Sequence, residues 1–311
     1  MQRRTNFMGL VLVLVVLLVG TSSVFAQVKI TDCMACHNDT TVITGKRAGL
    51  SGAVHGTGDA FLRGTRSSCA GCHSGGAFSA MVAAGLAPNT VKAGDPNPTR
   101  QDCRTCHQIH TGYTEADWAL ETTTPVRLYA FDGVTFAGGK GNLCANCHQP
   151  RRVIAAADPN DNISVTSSHW GPHHGPQSAM LLGTGGAGGV AGVPSFHYRL
   201  VRNTCVTCHI GADANHTFKS VSASCDVCHT PEDDLEGVQN DVEALIVQLG
   251  DLLVAKGLLD AEGHSVVGTY PAAEASALWN YIFIAIEDGS LGVHNTPYTK
   301  ALLKASIAAL Q

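Results

Sequence analysis

Cys33-Met-Ala-Cys36-His37 is the first of six copies of one pattern. The others are Cys69-Ala-Gly-Cys72-His73, Cys103-Arg-Thr-Cys106-His107, Cys144-Ala-Asn-Cys147-His148, Cys205-Val-Thr-Cys208-His209 and Cys225-Asp-Val-Cys228-His229. Together they use all 12 cysteines of the 311-residue chain. The spacing has a geometric reading. Two thiols one helical turn apart reach the two vinyl groups on one edge of a porphyrin, and the adjacent His swings under the ring to ligate the iron from the proximal side. The pattern predicts six covalently bound haem c groups. Their thioether anchors are Cys33, Cys36, Cys69, Cys72, Cys103, Cys106, Cys144, Cys147, Cys205, Cys208, Cys225 and Cys228, and their proximal iron ligands are His37, His73, His107, His148, His209 and His229. A disulfide framework gives no reason for a His after every second Cys. Zinc ribbons do not require one either, and thioredoxin-like redox pairs do not come six to a chain.

Each iron then needs a second axial ligand. Nine of the 15 histidines lie outside the motifs, at 55, 110, 169, 173, 174, 197, 216, 264 and 294. Methionine offers little: Met34 lies inside a motif, which leaves Met81 and Met180. Ligation of all six irons by two His is therefore expected, with three His to spare. The candidate distal ligands are His55, His110, His174, His197, His216 and His294. His110 follows His107 too closely to fold back on the same haem, so it is expected to serve a neighbouring one. In His169-Trp-Gly-Pro-His173-His174, His174 is favoured and His173 stands next. His264 reads as a surface loop residue. Bis-His ligation lacks the thioether that raises a haem potential, so low potentials are expected. A six-coordinate iron exchanges electrons without binding substrate.

Outward from the motifs, residues 1–26 read as a secretory signal peptide. Arg3 and Arg4 precede a 13-residue apolar run from Met8 to Gly20, too short to span a membrane, and Val24-Phe-Ala26 ends in small residues. Export to the periplasm or the cell exterior is expected, as is a mature chain that is not an integral membrane protein. Beyond residue 26 there are 18 Lys and Arg against 25 Asp and Glu, a net charge of −7. That balance excludes a nucleic-acid binder held by phosphate contacts. Haem propionates make the surface more acidic still, so a redox partner is expected to dock through a basic patch, with exchange slowing as salt rises.

The motifs start at 33, 69, 103, 144, 205 and 225 and define a hexahaem region over 27–230. A polypeptide so thin around six macrocycles must use porphyrin faces as much of its core, and an aromatic content of 6% fits that. The expected fold is mainly α with little regular secondary structure, short helices and loops around a haem-packed core. Segments 86–102, 149–168 and 183–195 are rich in Gly, Pro, Asn and Asp and read as loops. Gly183-Thr-Gly185-Gly-Ala-Gly188 matches a nucleotide-binding pattern, but no strand precedes it and position 208 is a Cys where an acidic residue is needed. From 231 to 311 no Cys occurs, and helical periodicity predicts a C-terminal tail of three helices over 241–259, 272–288 and 298–310, packed on the haem region.

The six motifs resemble those of the multihaem c-type cytochromes, secreted electron-transfer proteins of anaerobic or metal-respiring bacteria. Ser-His169-Trp-Gly-Pro-His173-His174-Gly-Pro-Gln and Gly-Val-His294-Asn-Thr-Pro-Tyr look like the distal-ligand segments of such proteins. The helical tail with its His-Asn pair is similar to that of the ammonia-forming nitrite reductases, whose catalytic haem is often attached through C-x-x-C-K. All six motifs here end in His, so that feature is absent. The resemblance implies an electron carrier rather than an enzyme, relaying electrons along closely spaced bis-His haems in anaerobic or extracellular respiration, with other multihaem cytochromes among its redox partners. Two alternatives stand beside it. One is a reductase of nitrogen or sulfur oxyanions with one open haem, for which His173 or His169 is spare. The other is a self-associating subunit of a conducting filament.

Overall fold

The computed structural model describes residues 33–37, 43–173 and 175–311. The expected signal peptide and His174 lie outside the described residues. What is described is short helices and loops with little sheet, built in two styles along the chain.

The first style covers residues 43 to about 230. Helices here are one or two turns long: α1 (Thr44–Gly52), α2 (Val54–Thr57), α3 (Ser67–His73), α4 (Gly75–Ala83) and α5 (Cys103–Cys106). After a two-stranded antiparallel pair, β1 (Val126–Arg127) and β2 (Thr135–Phe136), come α6 (Asn142–Ala145), strand β3 (Asn162–Val165), α7 (Gln177–Leu182), α8 (Phe196–Leu200) and α9 (Cys205–His209). Capping fixes where several of these start. Asp102 accepts from the backbone N–H of Arg104 and Thr105 while Thr105 answers the Asp102 N–H, a capping box at the head of α5. Ser74 caps α4 through Ala77 N–H and donates to Asp95 Oδ2 at 2.5 Å. Apolar burial is sparse. Between 43 and 125 the buried side chains of hydrophobic type are Ala53, Ala70, Phe78 and Met81.

The second style begins at α10 (Leu235–Ala255), followed by β4 (Gly268–Pro271), α11 (Ala272–Tyr281) and α12 (Thr296–Leu310). These helices share a conventional core. Val242, Leu249 and Leu253 from α10, Leu278 and Trp279 from α11, and Leu302 and Leu303 from α12 are all buried there. Trp170 meets Trp279 edge to face with centroids 5.1 Å apart, and the Trp279 indole donates to Gly185 O at 2.9 Å. Strand β4 pairs antiparallel with β3 in the register Ile163↔Tyr270 and Val165↔Gly268, which fastens the tail to the preceding region. The loop expected over 149–168 thus contains a strand.

The helix bounds differ from the periodicity in two ways. Helix α10 starts at 235, six residues ahead of the predicted start at 241, because Asp234 accepts from Gly237 N–H and caps the first turn. It ends at Ala255, with Gly257 at φ +73 just beyond. Helix α11 runs on as π-helical turns over Ile282–Asp288 before Gly289 stops it in the left-handed region. Those wider turns bring Asp288 to face His294, described below.

Candidate haem sites

Each C-x-x-C-H segment coils through one turn. The His N–H returns to the carbonyl of the first Cys in His37→Cys33 (2.8 Å), His107→Cys103 (2.9 Å), His148→Cys144 (2.9 Å) and His229→Cys225 (2.9 Å). Cys69 and Cys72 lie in α3, and Cys205 and Cys208 in α9. We label the motifs as sites I to VI in chain order.

Every motif His faces one His from outside the motifs. The ring centroids are 5.9 Å apart for His37 and His110 (site I), 6.3 Å for His73 and His173 (site II), and 6.2 Å for His107 and His216 (site III). They are 5.9 Å apart for His148 and His55 (site IV), 6.4 Å for His209 and His294 (site V), and 6.1 Å for His229 and His197 (site VI). Two metal–nitrogen bonds of about 2.0 Å and two nitrogen-to-centroid spans of about 1.1 Å put trans imidazoles about 6.2 Å apart. The residues therefore fit an iron held between two imidazoles at each site. Five of the six expected distal His, at 55, 110, 197, 216 and 294, stand in such pairs. The sixth, His174, is outside the described residues, and the imidazole facing His73 is that of His173.

The outer nitrogens are tethered. Nδ1 lies against an acceptor oxygen in His107 (Trp118 O, 2.7 Å), His197 (Val293 O, 2.6 Å), His209 (Phe218 O, 2.9 Å) and His216 (Ala214 O, 2.7 Å). His294 has Asp288 Oδ1 at 2.7 Å, and His148 has Gln177 Oε1 at 3.0 Å, whose amide is oriented by donation to Glu287 O at 2.8 Å. An oxygen that can only accept fixes the proton on Nδ1 and leaves the Nε2 lone pair for a metal. Site I differs: Arg104 Nη2 donates to Nδ1 of His110 at 3.2 Å, marking that nitrogen as the one with the lone pair. At site II, Arg151 Nη1 lies 3.5 Å from His173 Nε2, in a cleft shared with Tyr129 and Gln149.

Burial, with a smaller push from His148, takes His55 down to about 4. Burial also lowers His148 and His216. These imidazoles are neutral at neutral pH, as metal ligands must be. His294 goes the other way. Burial lowers it, but the Asp288 carboxylate more than offsets that and the net shift is upward.

The sites interlock out of chain order. Cys147 Sγ lies 3.9 Å from Cys72 O and Cys72 Sγ 3.9 Å from Asn146 O, joining sites II and IV, and Cys205 Sγ lies 3.9 Å from Gly141 O just ahead of Cys144, joining IV and V. Cys106 and Cys147 both pack on the small Phe78–Met81–Leu143 cluster, joining III and IV. Ser224 Oγ donates to Thr207 O at 2.9 Å and Val221 N–H to Cys208 O at 3.2 Å, joining V and VI. His110 carries site I to within three residues of His107. Two glycines permit these approaches. A Cβ on Gly75 would sit 2.5 Å from Thr105 Oγ1, where α4 meets α5, and one on Gly141 would overlap the same atom of Thr204, just before Cys205. Phe218 stands among three sites. Its ring is 4.9 Å from His55 and 6.1 Å from His216, and its carbonyl holds His209. No sequence pattern signals Phe218, Gln177 or Asp288, since each acts through a contact distant in the chain or set by the π-helical turns.

Comparison with solved structures finds similarity to two cytochromes. One solved structure of similar fold is the outer cell wall cytochrome OcwA, with a TM-score of 0.52 and 25% identity over 86% of this chain and 50% of that one. Another is the undecahaem cytochrome from the S-layer of Carboxydothermus ferrireducens, at a TM-score of 0.46 and 20% identity over 84% of this chain and 40% of that one. The chain thus spans about half the length of OcwA. No family model and no curated protein matches the sequence. The likeness to OcwA supports a multihaem c-type cytochrome, and among the described residues no helix is long and apolar enough to cross a membrane.

Proposed function

We propose that the chain is an exported hexahaem c-type cytochrome that relays electrons in anaerobic or extracellular respiration. The observation that carries this is the set of six imidazole pairs, each joining a motif His to a His from elsewhere in the chain. Twelve Cys would anchor six haem c groups. His37, His73, His107, His148, His209 and His229 would be proximal ligands, and His110, His173, His216, His55, His294 and His197 their respective partners. When bound, haem supplies reversible one-electron cycling between Fe(III) and Fe(II). The chain's own residues do the rest. Carbonyls of Trp118, Val293, Phe218 and Ala214 hold imidazole orientation, and Asp288 adds a negative charge behind one ligand.

The contacts between motifs support a branched relay, I–III–IV–V–VI with II joined at IV, whose order differs from the sequence. Val54, Phe196 and Val227 are each more than two-thirds exposed beside or within these sites, as expected if a macrocycle covers them. The six facing imidazoles favour the relay over the reductase alternative, which needs an iron with one open face. Export rests on the residues 1–26 pattern and the likeness to an outer-cell-wall cytochrome. The test is low-temperature electron paramagnetic resonance of the oxidised protein, with haem counted by pyridine haemochrome. Six low-spin haems per chain are expected. One persistent high-spin haem would overturn the all-bis-His relay and point to substrate chemistry at that iron.

A further inference from the structure

Two histidines that the six sites do not use lie together on the surface. His169 and His264 have ring centroids 5.8 Å apart with planes at 87°, close to the spacing of the six haem pairs. No C-x-x-C-H segment accompanies them, and Cys147 and Cys205 are the flanking cysteines of His169 in the chain.

The setting is built. Asp260 Oδ2 lies 3.4 Å from His264 Nδ1, while Oδ1 accepts from the N–H of His264 at 2.7 Å and of Glu262 at 3.1 Å. The turn is closed by Asp260 N–H donating to His264 O at 3.0 Å. Ser265 N–H donates to Ser168 O at 3.2 Å and holds the two loops side by side. Trp170, next to His169, is fixed in the core against Trp279. Ser167 and Ser168 precede His169 in the chain, and Ala261, Glu262 and Gly263 precede His264. Both rings are exposed, and these preceding neighbours are small or polar.

We propose that His169 and His264 bind a divalent transition-metal ion of the zinc, copper or nickel class, with Asp260 orienting His264 from behind and water completing the coordination. Imidazole nitrogen is the ligand these ions prefer, and a carboxylate behind a ligating His is the common supporting arrangement. The ion ties the loop at 260–265 to the segment 167–173, whose far end is His173 of site II, so its binding stiffens the strand of chain that presents that imidazole.

The test is calorimetric titration of the haem-loaded protein with zinc chloride. One zinc ion per chain is expected. His169→Gln and His264→Gln should each weaken binding by about tenfold or more, and Asp260→Asn by up to about tenfold. Each variant should keep the wild-type Soret spectrum, which separates loss of the ion site from loss of the fold. Absence of zinc uptake, or wild-type affinity in both His169→Gln and His264→Gln, would each overturn the proposal.

Discussion

Replacing Asp288 by Asn should raise the potential of one haem, that of site V, by about 100 mV. Asp288 is 7% exposed and holds His294 Nδ1 at 2.7 Å while accepting from Ser290 Oγ at 2.5 Å. Asn keeps the shape and an acceptor oxygen for the imidazole N–H, and Ser290 can turn its hydroxyl to accept, so the change removes charge and little else. Crossing the imidazole and one metal–nitrogen bond puts the carboxylate about 7 Å from a metal on Nε2. At an effective dielectric of about 20 its interaction with one unit of charge is about 2.4 kcal/mol. At about 59 mV per 1.4 kcal/mol for one electron, that is about 100 mV. The sign follows from the charge. A nearby carboxylate stabilises the oxidised iron, so neutralising it favours reduction. Spectroelectrochemical titration of wild type and variant measures the shift, and electron paramagnetic resonance checks that all haems stay low-spin. A shift under about 20 mV, or a downward one, would refute the assignment of His294 as a ligand with Asp288 behind it.

Three further outcomes are expected. His173→Ala should convert one haem in six to high spin while His174→Ala leaves all low-spin; the reverse result would hand the site II ligand to His174. Trp279→Ala, which empties a site 1% exposed and removes the bond to Gly185 O, should cost about 3–5 kcal/mol in denaturant unfolding followed by far-ultraviolet circular dichroism, with haem content unchanged. Acid should weaken the fold through His55. Its folded value of about 4 lies below its usual 6.5, so the unfolded chain takes up the proton first as pH falls. The stabilisation is full above pH 6.5 and drains away as pH drops towards 4, by at most about 3 kcal/mol. A denaturant midpoint that stays flat across that window would count against it.

The pairing of ligands shows how far residue types reach. That nine spare His exceed six irons is arithmetic, and five of the six named as distal candidates stand opposite a motif His. Which faces which was closed to inspection. His55 meets His148 from 93 positions away, and His216 meets His107 rather than either adjacent motif. His110 was an exception in kind. Three residues from His107, it is sterically barred from its own haem, and it faces His37. At 169–174 the cluster offers three imidazoles on one loop, and spacing alone does not rank them. The positive φ of His173, +78°, turns that residue towards His73 and Arg151.

The sequence by itself carried the expectation of covalent haem, because such attachment is local: two thiols and one imidazole within five residues suffice, whatever surrounds them. It also determined the amphipathic tail, because helical periodicity is local too. Only the tertiary structure decided the order of the sites, the partner of each imidazole, the carboxylate behind His294 and the surface pair at 169 and 264. Those depend on side chains brought together across tens to hundreds of residues, by glycine-permitted close approaches such as Gly75 on Thr105 and by the β3–β4 pairing that folds the tail back, and no short window of sequence contains both partners.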